Sequence, residues 1–354
     1  MTAALGKHDP GIQPGGKAIA GTVSAGFADH LMRFAIAQGA DPGALADRSG
    51  IRPEDLENRD HRIPARAYVA LMGAAKALCG APDLALRLGA ASDFREISVV
   101  GLICYAAPTM GEALKELNRY GRLAMEVDLP AGAQRFAMVQ RDGQLWLTDT
   151  RTDPNDFPEL TESTWSRFIC ETARHFPDAP FARAVHVTHA RPDHGAAYEA
   201  LWKVPVSFGA AWNAIQIDPS WLHIPLHNPS GYAFGVLSDH ADRLLAQLEA
   251  SRTVRGRVES ALLPILHKGA PGMEETAARL GVSRPTLYRQ LRQEGVTYEA
   301  VIDALRHTMA LHYLNGRKVS VNETAYLVGF SDPSAFSRAF KRWTGSSPRR
   351  LKAG

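Results

Sequence analysis

VSVNETAYLVGFSDPSAFSRAFKRWTGSSPRR, Val319 to Arg350, decides the fold of the chain's last third. Val321, Ala325, Leu327 and Val328 give a short amphipathic helix that stops at Gly329, a residue suited to a sharp turn between helices. A second helix follows. Asp332 is a good N-cap, and Pro333 suits the first helical position because its missing N–H costs nothing there. Phe336, Phe340 and Trp343 then recur at i, i+4 and i+7, while Ser334, Ser337, Arg338, Lys341 and Arg342 share the other face. A helix packed behind and basic in front is what a major groove admits.

The same pattern occurs earlier. Glu275 to Ser283 lies 48 positions before Glu323 to Ser331, and both read E-T-A-x-x-[L/V]-G-x-S. The Ala four residues before the Gly is small because two helices meet at a tight turn there. The first copy also leads into an amphipathic helix, Arg284 to Glu294, with Leu287 and Leu291 inward. Arg284, Thr286, Tyr288, Arg289 and Arg292 are the candidates to face DNA. Between the copies, Thr297 to Asn315 reads as one helix. At 1.5 Å per residue it is roughly 28 Å long, close to the roughly 34 Å between successive major-groove faces. Two readers in one chain follow from that spacing.

Charge divides along the chain in the same sense. The overall +3 resolves into +9 from Arg252 onward and −6 before it, and the basic end is the nucleic-acid end. No apolar run approaches the roughly 18 residues a membrane span needs. Residues 1–21, rich in Gly and Pro with no apolar signal core, read as a disordered tail. Cys79, Cys104 and Cys170 are far apart and form no C-x-x-C, so reduced thiols in the cytoplasm are expected.

Residues 22–235 read as an α+β domain. Helices are expected over Ser24–Gln38, Pro64–Cys79, Asp83–Gly89, Ile97–Ala106 and Thr109–Tyr120. The run Ala44 to Arg59 has a helix-turn-helix rhythm, but Glu54, Asp55 and Glu57 would repel phosphates, so it reads as packing. Strands Gln134–Arg141 and Gln144–Thr150 flank Asp142-Gly143, a strong hairpin signal. A helix at Pro158–His175, a strand at Ala182–Ala190, a helix at His194–Trp202 and strands at Val206–Phe208 and Ala214–Ile217 complete a mainly antiparallel unit. Val236 to Ser251 carries an apolar stripe at 237, 241, 244, 245 and 248 and reads as a connecting or dimer-forming helix. Another helix, Val254–His267, opens the C-terminal domain.

The C-terminal hundred residues plainly resemble the AraC/XylS family of bacterial transcription regulators. The most specific match is G-F-S-D-x-S-x-F-S-R-x-F-K-R-x-T-G-x-S-P, Gly329 through Pro348, and Arg306, Ala310 and Leu314 fit the family's R-x-x-x-A-x-x-x-L linker. The resemblance implies base readout by Pro285, Tyr288 and Arg289 in the first recognition helix and by Pro333, Ser334, Ser337 and Arg338 in the second. The earlier residues resemble the arabinose-binding-like effector domain of one branch of that family. GLICYAAPTMGEALKELNRY (Gly101–Tyr120), Val187 to Pro192 and Pro205 to Ala210 carry this likeness; none of it is a sugar signature.

The expected architecture is therefore an α+β N-terminal effector domain of short helices and a mainly antiparallel sheet, followed by an all-α C-terminal domain with two helix-turn-helix motifs joined by a linker helix. The boundaries are a tail over 1–21, an effector and dimerisation domain over 22–235, a linker helix over 236–252 and a DNA-binding domain over 253–354. In the last, the first motif covers about 273–294, the linker helix 297–315 and the second motif about 320–343. Tyr105, Arg135, Trp146, Arg151 and Trp165 have the character of pocket residues, and equally of an ordinary core. His186, His189 and His194 lack an acidic or Cys partner at ligand spacing, so no metal and no cofactor are expected. No G-x-S-x-G elbow or nucleophile with an evident base is present, and no enzyme is expected. The reading is a cytoplasmic, homodimeric, effector-controlled regulator of double-stranded DNA. Family resemblance implies activation and hence contact with RNA polymerase. The competing reading is a constitutive or architectural DNA binder whose first domain only dimerises.

Overall fold

The computed structural model describes residues 21–226, 231–269, 271–315 and 319–353. The expected tail lies outside these apart from Gly21. The chain divides into two compact units, the second starting at Leu245.

In the first unit, β1 (Thr22–Ser24) leads into α1 (Ala25–Ala37), α2 (Pro42–Ser49) and a 3-10 turn at Pro53–Leu56. Strand β2 (Arg62–Pro64) pairs antiparallel with β1, a contact too short to leave a sequence signal. Helices α3 (Ala65–Cys79), α4 (Leu84–Ala91), α5 (Phe94–Ile97), α6 (Val99–Ala106) and α7 (Met110–Ala124) follow. Helix α7 continues past the expected stop at Tyr120 because Leu123 and Ala124 are buried, which offsets Gly121 in its last turns.

The sheet begins with β3 (Phe136–Arg141) and β4 (Gln144–Asp149). Asp142 and Gly143 both take positive φ, 52° and 73°, as a two-residue hairpin turn requires. Helix α8 (Pro158–His175), β5 (Ala182–His186), α9 (Gly195–Trp202), β6 (Val206–Ser207) and β7 (Asn213–Ile217) complete a sheet of order β3-β4-β7-β5-β6. All its pairs are antiparallel except β5 with β6. Strand β5 stops at His186 rather than Ala190; beyond it, Val187 and His189 bond to the loop at Ser207–Ala210. Helix α8 lies between the sheet and α4. Its Trp165 and Ile169 join Phe136, Leu147, Val185 and Ile215 in one core. Against α4 the approach is so close that a Cβ on Gly89 would meet the Ser163 carbonyl oxygen at 2.2 Å.

Helix α10 (Gly231–Arg252) starts before the expected Val236. Gly231 and Gly235 disguise its first turn, since glycine is a poor helix former. The second unit then holds α11 (Val254–Leu262), α12 (Met273–Arg279), α13 (Arg284–Gln293), α14 (Tyr298–Asn315), α15 (Val321–Leu327), α16 (Pro333–Thr344) and α17 (Pro348–Ala353). The expected helix Val254–His267 breaks into α11 and a 3-10 segment, Leu263–Lys268, at Pro264, which cannot donate to an α-helical ladder. Leu262, Leu287, Leu291, Val301, Ala310, Phe336 and Phe340 share one core that serves both helix-turn-helices. Among the described residues no single helix is long and apolar enough to cross a membrane.

Candidate nucleic-acid interface and sensor cavity

Each recognition helix is held by a cap and by a buried stripe. Ser283 caps α13, its hydroxyl accepting from Thr286 N, while Leu287 and Leu291 are buried beneath. Asp332 caps α16 by accepting from both Ser334 N and Ala335 N, with Phe336, Ala339 and Phe340 buried. What remains outward on α13 is Arg284, Pro285, Tyr288, Arg289 and Arg292; on α16 it is Ser334, Arg338, Lys341 and Arg342. These are cationic faces with few carboxylates, the electrostatic type that neutralises phosphates.

The remaining sequence candidates sit differently. Thr286 is half-buried, and its hydroxyl lies 2.8 Å from Ser283 Oγ, which turns it toward the helix start. Pro333 and Ser337 are half-buried too. Arg342 is exposed but ion-pairs with Asp303 of α14 at 2.6 Å. Sequence reading missed the role of Arg306. From α14 it donates to the carbonyl oxygens of Val328 and Gly329, at 3.2 and 3.0 Å, and lies over the Phe330 ring. It thereby fixes the turn before α16.

The first unit contains an apolar cavity of about 110 Å³. Its walls include Leu114 and Leu117 of α7, Leu147 of β4, Phe168 of α8, Phe181 and Trp221. The polar groups on it are few: Tyr105, Arg167, Glu171 and Thr172, with the Cys104 thiol. Glu171 Oε1 accepts from Tyr105 OH at 2.7 Å and from Phe94 N at 2.9 Å. Burial first, then the Glu171 charge, push the Tyr105 phenol well above its ordinary value. Burial likewise holds the Arg167 guanidinium below the usual arginine range and pushes the Cys104 thiol up.

Of the five expected pocket residues, this cavity includes Tyr105. Trp146 neighbours Leu147 on β4 and so points to the opposite face, where its ring meets His186 and Trp212. Trp165 is fully buried between Phe136 and Phe168. Arg151 is bound to Asp149 at 2.8 Å and to Thr161, and borders a separate, more polar cleft beside Asp128 and Asp153. Arg135 lies 3.6 Å from the same Asp149 and is pushed down to about 10 by burial. Sequence reading missed Arg167 and Glu171. They stand at i and i+4 on α8, a spacing that ordinarily signals a solvated ion pair.

The histidines serve local structure. His186 Nδ1 accepts from Trp212 Nε1 at 3.1 Å, and the His194 ring stacks on Tyr198.

Comparison with known proteins agrees with this geometry. Residues 39–226 match the arabinose-binding domain of AraC transcription regulators, and residues 276–354 match a helix-turn-helix domain. The ornithine utilization regulator of Pseudomonas aeruginosa is 27% identical, over 92% of this chain and 95% of that protein. The transcriptional regulator VirS of Mycobacterium tuberculosis is 26% identical, over 89% and 92%. The activator RhaS of Escherichia coli is 39% identical over 23% of this chain and 30% of that protein. Among solved structures, the transcriptional regulator CdpR of Pseudomonas aeruginosa aligns over 93% of this chain and 98% of that one, at 21% identity and a TM-score of 0.42. With the effector-domain match spanning more than half of its length and a helix-turn-helix domain behind it, this chain belongs to the AraC family of transcription regulators and is a DNA-binding regulator with an arabinose-binding-like N-terminal domain.

Proposed function

We propose that the chain is a homodimeric transcription activator whose hold on its operator is set by a small molecule bound in the N-terminal unit. The observation that carries this is the apolar cavity with a few polar groups on its wall, the usual make-up of a small-molecule site. Arg289 and Arg338, both exposed, are the side chains assigned to bidentate reading of guanine edges, with Tyr288 and Ser334 beside them. Arg284, Arg292 and Lys341 meet phosphates. Arg342 joins them only by exchanging its partner Asp303 for DNA.

Helix α10 belongs to both units by covalent continuity, so a change in the sensor biases the DNA-binding unit through it. A coupling of about 1–3 kcal/mol is enough, which changes operator affinity by roughly 5- to 150-fold. The test begins by selecting an operator from random duplex DNA with the purified full-length protein. Fluorescence anisotropy then measures its affinity with and without a panel of metabolites, ornithine included because one relative is named for its utilisation. A compound that shifts affinity by fivefold or more supports effector control. A flat response across the panel favours the constitutive binder.

A further inference from the structure

Several arginines of the first unit are buried or half-buried, and Arg62, Arg135 and Arg151 among them have acceptors. Arg62 donates to the carbonyl oxygens of Thr22, Arg122 and Leu123. Arg135 reaches Asp149 and Thr164, and Arg151 reaches Asp149 and Thr161. Arg167 is different. Its side chain lines the cavity and the residue is only 9% exposed, yet its guanidinium makes no hydrogen bond and no ion pair among the described residues. What it has are the rings of Phe27 and Phe94, 5.2 and 4.9 Å from its central carbon. Ring faces attract a cation, but they leave a guanidinium's five N–H donors without acceptors. Glu171 one turn on offers Arg167 an opposite charge but no hydrogen bond, and its Oε1 accepts from Tyr105 and Phe94 N.

A buried guanidinium without hydrogen-bond acceptors costs free energy even with an opposite charge nearby, and the acceptor it lacks is one that a ligand can bring. We infer that the effector is a small monocarboxylate with an apolar body, its carboxylate paired with Arg167 and its body against Leu114, Leu117, Phe168 and Trp221. This rests on the cavity being the effector site. The guanidinium edge matches a carboxylate in a planar, two-point fashion. The cavity's size sets the body: an apolar protein cavity of about 150 Å³ takes a benzene ring, so about 110 Å³ takes five or so carbons before the open mouth is used. The apolar wall offers little to the hydroxyls of a sugar.

Hexanoate and pentanoate are the probes, with hexanamide and pentanamide as uncharged matches of the same shape. Isothermal titration and thermal shift are run on the full chain near neutral pH, where both acids are ionised. Both acids are expected to bind and raise the melting temperature, and the amides to bind about tenfold to a hundredfold more weakly. Arg167→Met removes the difference between acid and amide, while Arg167→Lys, which keeps the charge, retains part of it. Should Arg167→Met fail to fold, the acid-amide comparison on the native chain and on Arg167→Lys still decides. Amides binding as well as acids, or none of the four binding at millimolar concentration, overturns the carboxylate assignment. Effector control is judged separately: if an uncharged compound binds and changes operator affinity, that control stands and only the carboxylate falls.

Discussion

The two helix-turn-helices share the E-T-A-x-x-[L/V]-G-x-S motif, and in both it builds the same local turn. Ala277 and Ala325 are buried, and their carbonyl oxygens accept from Val282 N and Phe330 N at 3.0 and 2.9 Å. Gly281 and Gly329 adopt φ of 67° and 79°. Beyond the turn the copies part. A Cβ on Gly281 would point into open space, whereas one on Gly329 would meet the Leu266 carbonyl oxygen at 2.2 Å. The buried Thr276 hydroxyl lies 2.6 Å from the Tyr298 hydroxyl, while the Thr324 hydroxyl donates to the carbonyl oxygen of Ser320, the N-cap of its own helix. Arg306 grips only the second turn. The recognition helix also starts one residue later in the second copy, after Asp332 rather than after the motif's own serine. A repeated motif thus specifies a turn; what holds that turn in place comes from residues outside the repeat.

The glycines offer the largest test of that difference. Gly281→Ala costs only the left-handed backbone, about 1–2 kcal/mol. Gly329→Ala adds a collision with backbone that cannot yield, so about 3–5 kcal/mol is expected. Gly329→Val goes further and abolishes operator binding through misfolding. Urea unfolding of the full chain measures both glycine-to-alanine changes, and equal losses would remove the asymmetry. Next in size is Arg306→Met, which keeps an apolar stem over Phe330 but strips two carbonyl oxygens of their donor. About 2 kcal/mol is expected. Hydrogen exchange should rise at Gly329–Asp332 and stay unchanged at Gly281–Ser283; a matching rise in the first turn would mean that Arg306 supports the whole unit.

The same division between local and distant causes decides what could be read from the sequence. Asp142-Gly143, the cap at Asp332 and the stripe Phe336, Phe340 are local patterns, and the structure has them where the pattern puts them. Helix α8 shows the opposite case. Its Thr161, Glu162, Ser166, Arg167 and Glu171 are polar or charged, yet all are buried because α4 covers the side away from the sheet. No periodicity announces a helix covered on two sides, so Arg167 could not be singled out, and Trp165, which suits a pocket and an ordinary core equally, lies in the core. Arg306 was legible as part of a linker pattern, but its purpose depends on a turn 22 residues away.

At the DNA surface the two copies should differ in which base steps they read. Arg289→Ala and Arg338→Ala are each expected to weaken binding to the selected operator by about 1–3 kcal/mol and to relax specificity at separate positions. Competition with singly substituted operators measures this. Uniform loss on every sequence would reduce the arginine concerned to a phosphate contact. Arg342→Ala should cost less than either, because the native side chain must first leave Asp303.

The smallest expected effect separates the caps by pH. Asp332 accepts from Ser334 N and Ala335 N, and these bonds hold its carboxyl below the ordinary value of 3.8. A carboxyl with a depressed value in the folded state binds its proton more readily when unfolded. The cap therefore contributes fully above about pH 4 to 5 and is lost as the pH falls through the lower, folded value. Ser283 has no such proton to gain. In Asp332→Asn the single carbonyl oxygen replaces only one of the two acceptors, at every pH. The stability gap between native chain and Asp332→Asn should thus be open at pH 6 and narrow toward pH 3, while the gap for Ser283→Ala stays level. Chemical unfolding across that range measures both. A level gap for Asp332→Asn would mean that the carboxylate's charge adds nothing to the cap, and that the two recognition helices begin in energetically equivalent ways despite their different residues.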